Sequence, residues 1–118
     1  MKNRSSFTEL QSPATPACWQ REAPTACLRV ELSCGETQLF SYQHFVTASL
    51  KRDDAGGEAM RIVFSSHELD IEGRGLRELL LGLQDFAVKW VRTAPDRYRA
   101  LPLETDGLVT AIRVTESE

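Results

Sequence analysis

The sequence predicts an α+β domain: an antiparallel sheet of about four to five strands in the order β-β-β-(β)-α-β, with one long amphipathic helix packed on one face. Three observations lead there. Apolar residues alternate with polar ones over most of the stretch from Cys27 to Ile71, the mark of half-buried strands. Turn-forming residues punctuate this stretch at Cys34-Gly35 and at Asp53-Asp54-Ala55-Gly56-Gly57. From Gly75 to Ala94 the period changes. Leu76, Leu79, Leu80, Leu83, Ala87, Trp90, Val91 and Ala94 recur at the spacing of one helical face.

The elements follow in order. Residues 1–26 are rich in Ser, Thr and Pro and poor in large apolar groups. Such a segment buries too little to offset the entropy of ordering it, so it reads as a flexible leader before a single domain over 27–116. Trp19 is its exception, an aromatic that docks on a partner or packs back on its own domain. Leu28, Val30 and Leu32 then mark a first strand. A longer run shares one parity at Phe40, Tyr42, His44, Val46, Ala48 and Leu50, with Phe45 out of step, which places a bulge near Gln43-His44. After the Asp53–Gly57 turn, Met60, Ile62 and Phe64 point one way. His67, Leu69 and Ile71 take the opposite parity, so a bulge or corner lies at Ser65-Ser66. Gly73-Arg74-Gly75 breaks the strand and leads into the helix, and Pro95 ends it. A connection over 95–107, with a helical turn near Asp96–Arg99, precedes a last strand from Leu108 to Thr115.

The 118 residues suit one core. A net charge of -3 argues against nucleic-acid or anionic-membrane binding driven by bulk electrostatics. An odd cysteine count, Cys18, Cys27 and Cys34, with no apolar stretch behind Lys2 and Arg4 to make an export signal, points to reduced thiols in a cytoplasm. Charged residues interrupt every apolar run long enough to approach a membrane helix. The preference for Arg over Lys hints at a GC-rich bacterial genome.

The most suggestive polar site is His44 with Ser65, Ser66 and His67, followed by Glu68 and Asp70. Nucleophile, base and acid are present by type, but strand geometry sends neighbouring side chains to opposite faces, whereas a triad needs them in contact. The serines then serve a corner, unless that corner relaxes the rule. Glu68, Asp70 and Glu72 share one parity and read as a solvated ridge. No Cys or His spacing suits a metal, and no phosphate-loop fingerprint is complete, so neither metal nor cofactor is expected. Arg92, Arg97 and Arg99, near Tyr98 and Trp90, form the one basic-aromatic cluster and a candidate anion site.

On the helix, Leu81 and Val88 fall at about 140° and 120° from Leu76, off the main stripe. With Trp19 they are the candidate interface, and a two-fold helix pair is the simplest symmetric use of such a ridge. The reading is a small non-catalytic binding or accessory module, associating with a protein partner or with itself. The alternatives are a small enzyme or ligand-binding domain near Ser65–His67, and a nucleic-acid-binding regulator using Arg92, Arg97 and Arg99.

Overall fold

The computed structural model describes residues 17–22, 24–95 and 107–117. Its strands are β1 (Trp19–Arg21), β2 (Cys27–Glu31), β3 (Thr37–Ser41), β4 (Phe45–Arg52), β5 (Glu58–Phe64), β6 (His67–Arg74), β7 (Val88–Arg92) and β8 (Leu108–Glu116), and its helix is α1 (Arg77–Gln84). The fold is α+β, as the residue pattern predicts, but the strands divide between two sheets of four. The first runs β1-β7-β2-β3 and is antiparallel except where β7 lies parallel to β2. The second runs β4-β5-β6-β8 and is antiparallel throughout.

Local chemistry sets the strand breaks. The expected bulge at Gln43-His44 is a full turn of 3-10 helix over Tyr42–His44, capped by Ser41, whose Oγ accepts from the Gln43 N–H. It splits the long apolar run and sends β3 and β4 to different sheets. The Asp53–Gly57 turn closes on Asp53, whose Oδ1 accepts from the N–H groups of Ala55 and Gly57. Ser65-Ser66 is the corner that the parity switch demands, joining two separate strands. Gly73 does not break its strand. It lies where a Cβ would meet the Leu108 carbonyl at 2.0 Å, so only glycine lets β6 and β8 approach there.

The expected helix to Ala94 stops at Gln84. Phe86 adopts a left-handed conformation, φ 54°, while its N–H donates to the Leu83 carbonyl and that of Ala87 to Gly82. This is a Schellman stop, built on Phe86 where glycine is the usual choice. The strain, roughly 1–2 kcal/mol, is offset by ring contacts from Phe86 to Tyr42 and Phe45. Beyond it, Val88–Arg92 is strand, because β1 and β2 offer backbone partners on both sides. Helical periodicity therefore carried on past the physical end of the helix.

The first sheet reaches back to Trp19, ahead of the boundary expected at Cys27. Residues 1–16 of the expected leader, and the expected helical turn near 96–99, lie outside the described residues.

A single core joins the sheets. Phe40 of β3 stacks on Phe64 of β5 with ring centroids 5.1 Å apart. Helix α1 passes from the second sheet to the first, packs against β4 and β7, and buries Leu79 and Leu83. At its start, Leu76 has no side chain able to cap it. The Glu58 carboxylate of β5 supplies the cap: Oε1 accepts from the buried Leu76 N–H at 2.7 Å, and Oε2 from Arg52 at 3.2 Å. A negative group there also complements the helix dipole. Among the described residues, no helix is long and apolar enough to cross a membrane.

Candidate functional site

The predicted polar residues gather beside a sheet edge that no other described strand covers. A cleft of about 270 Å³ lies between β3 and the β5–β6 corner, and Leu39, Phe40, His44, Phe64, Ser66 and His67 line it. Ser65 belongs to the corner, where its N–H donates to the His44 carbonyl at 2.8 Å. The corner brings Ser66 Oγ to 2.7 Å from His67 Nδ1, a contact that an uninterrupted strand would forbid. His67 is half-buried and meets the Phe40 ring edge-on at 5.4 Å. Among the described residues no carboxylate hydrogen-bonds to His67, and Ser66 and His67 are chain neighbours at a bend. The pair offers a donor and an acceptor to a ligand, and a hydrophobic floor lies beneath it.

The edge itself has a definite pattern. The β2–β3 register places Leu28 opposite Phe40 and Val30 opposite Gln38. Hydrogen bonds from the Leu32 N–H to the Glu36 carbonyl and from the Tyr42 N–H to the Ala26 carbonyl fix the phase of the ladder. Antiparallel pairing alternates bonded and non-bonded positions. Even-numbered residues of β3 thus bond to β2, while Thr37 and Leu39 turn their N–H and C=O, and Ser41 its N–H, to the open side. Among the described residues, the four sheet edges are β1, β3, β4 and β8. Of these, β1 carries Arg21, β4 Lys51 and Arg52, and β8 Arg113 and Glu116. The Thr-Gln-Leu-Phe-Ser run of β3 has no charge, proline or bulge, which are the usual guards of an edge. Leu39 is 67% exposed on its outer face.

The predicted interface separates. Val88 is fully buried in β7, where the Tyr42 hydroxyl donates to its carbonyl at 2.6 Å, and burial holds the Tyr42 pKa well above its usual value. It forms no ridge with Leu81, which is half-buried on α1. Trp19 packs back on its own domain, paired with Val91 and set against the core. In the basic cluster, the Arg92 Nε donates to the Ala17 carbonyl at 3.1 Å and its guanidinium lies 4.7 Å from the Trp90 ring centroid. Trp90 sits on the outer face, half-buried, with Nε1 donating to Gln20. It is not part of the core stripe expected of it. Arg97 and Arg99 lie outside the described residues.

Two other groupings are already satisfied. Within the acidic ridge, Glu68 and Asp70 pair with Arg61, whose Nε lies 3.1 Å from Asp70 and 3.9 Å from Glu68; hydrogen bonding to Asp70 and the two acidic charges push the Arg61 pKa up. A larger cleft of about 540 Å³ beside the β4–β5 turn includes Lys51, Arg52, Arg74, Asp53, Glu58 and Glu72. Its cations and carboxylates balance, and Asp53 and Glu58 are engaged in the turn and the helix cap. Among the described residues, no group of three His, Cys, Asp or Glu side chains could hold a metal ion.

Sequence reasoning missed the β3 edge because Thr37 read as part of a turn and Phe40–Leu50 as one continuous strand. An uncharged run just after a glycine turn was the available signal. No protein-family model, curated protein or solved structure matches this chain.

Proposed function

We propose that this domain is a non-catalytic binding module that receives an extended protein segment along β3. The observation that carries the reading is the unguarded, uncharged edge of β3 bordering the Phe40–Phe64–His67 cleft. An added strand gains affinity from main-chain hydrogen bonds to Thr37 and Leu39, and specificity from a side chain directed into the neighbouring pocket. Ser66 and His67 then act as polar selectors at the rim of that pocket. Leu39 supplies apolar contact on the opposite face of the incoming strand.

Titration of the isotope-labelled domain with capped hexapeptides that alternate Thr with Val, Leu or Phe tests this. Amide shifts should concentrate at Thr37, Leu39 and Ser41, with a second set at His67. Shifts confined to other strands, or none with any peptide of the panel at a protein concentration where the domain is monomeric, would reject the reading.

A further inference from the structure

We infer that the segment paired on β3 is β3 of a second copy, in a two-fold dimer centred on Leu39. The inference rests on the strand-addition reading and names its partner. In an antiparallel pair about a dyad at Leu39, each Leu39 faces its symmetry mate, and Thr37 faces Ser41 of the other copy. The groups left free on one edge are those of odd-numbered residues, and this register sets odd positions only against odd positions. The two Leu39 residues exchange N–H···O=C bonds, and each Thr37 carbonyl accepts from the opposite Ser41 N–H. About four backbone hydrogen bonds form, with no donor facing a donor.

Side chains agree with that register. The two Leu39 side chains, each 67% exposed in one copy, become direct cross-strand neighbours on the outer face. Charge agrees as well. The five residues of β3 carry none, so self-pairing juxtaposes no like charges. The nearest basic residue in the same row is Arg29, which stands opposite Leu39 on β2. Its symmetry mate lies three strand spacings away, roughly 14 Å, beyond the screening length at physiological salt. The first sheet would continue from one copy into the other as β1-β7-β2-β3-β3-β2-β7-β1, an isologous closure that consumes both edges and cannot propagate.

Sedimentation equilibrium from micromolar to about 1 mM protein tests the dimer, with Leu39→Lys and Thr37→Pro beside the parent chain. The mass should rise from 13.2 kDa towards twice that value. Leu39→Lys removes the apolar cross-strand pair and sets two like charges opposite each other, and should raise the dissociation constant roughly tenfold or more. Thr37→Pro alters the first residue of an edge strand at an N–H that β2 does not use, a position where proline is tolerated. Its carbonyl is kept, but its ring takes up the open side where Ser41 of the second copy must approach, so it should weaken the dimer while leaving the far-ultraviolet spectrum unchanged. A parent chain that stays at 13.2 kDa throughout overturns the dimer. So does a Leu39→Lys variant that associates as the parent does. A monomer that still shows peptide-induced shifts at Thr37 and Leu39 overturns self-pairing alone; a monomer without them overturns strand addition too.

Discussion

Replacement of Glu58 by alanine is the most direct probe of how the helix is held to the sheet. Glu58 is 9% exposed and stands at the start of the inward row Glu58, Met60, Ile62, Phe64. Its carboxylate holds the buried Leu76 N–H at 2.7 Å, a charge-assisted bond to a helix end that has no side-chain cap of its own. A hydrogen bond to a charged group contributes roughly 1.5–3 kcal/mol, and its loss leaves the buried N–H without a partner. Glu58→Ala should therefore cost about 2–3 kcal/mol, which for a chain of this length lowers the melting temperature by roughly 10 °C. Arg52, the second partner, has a side chain 73% exposed against 6% for Glu58. Solvent screening limits that pair, so Arg52→Ala should cost under about 1 kcal/mol. Glu58→Gln keeps an acceptor for Leu76 and should fall between the two. Urea unfolding followed by circular dichroism gives all three values. Equal losses in Glu58→Ala and Arg52→Ala would show that the ion pair, and not the cap, is what Glu58 provides.

Two more outcomes follow from the geometry. At Phe86 the left-handed backbone inverts the usual order of small substituents: Phe86→Gly should be more stable than Phe86→Ala by about 1 kcal/mol, both being less stable than the parent through lost contact with Tyr42 and Phe45, and thermal unfolding of the pair reads this difference. Burial raises the Cys18 thiol above its ordinary value of 9.0, against smaller lowering by the Val109 N–H and by Arg92, so folding keeps this thiol protonated. The stability it contributes is complete below pH 9.0 and is lost as the pH climbs through the raised folded value. Iodoacetamide at pH 8 should label exposed Cys34 first and Cys18 only on unfolding, and mass spectrometry showing equal early labelling would contradict the burial.

Strand periodicity was the legible part of the chain. Leu28 and Val30, Met60 to Phe64, and Leu69 with Ile71 are buried as their alternation demands, because a sheet residue's face depends only on parity. The corner at Ser65-Ser66 was legible for the same reason. The second half of the helix was not. Ala87, Val91 and Ala94 suit a helical stripe and are indeed buried, yet Val91 faces the core from a strand, and so does Val88, which a helix would have turned away from that stripe. The helical reading gave the burial of Ala87, Val91 and Ala94 but not that of Val88 or the half-exposure of Trp90, because the segment is a strand whose bulge, seen in the skipped Lys89 of the β1–β7 register, sets Val88 and Val91 on one face. The helix stop carried no glycine to announce it. The division into two sheets was equally hidden, because Tyr42 and His44 kept the parity of the run while turning it through a 3-10 helix. Within the candidate site, the sequence supplied His44, Ser66 and His67. The open side of β3 is a property of which strand lies at the end of a sheet, and pairing order is not written in residue pattern.

That pairing order also sets a sequence of events in folding. The β4-β5-β6 meander closes through short connections and needs few residues to meet. The first sheet waits for β7, which comes only after β4, β5, β6 and the helix and must return to lie parallel to β2, between it and β1. Long-range closures of this kind are slow, since loop entropy is lost before any contact rewards it. Until β7 arrives, the β2–β3 hairpin has two open sides, one of them carrying the backbone groups that β7 will take. The backbone groups of β2 on that side are therefore the ones whose cover depends on a long-range chain closure in the first sheet.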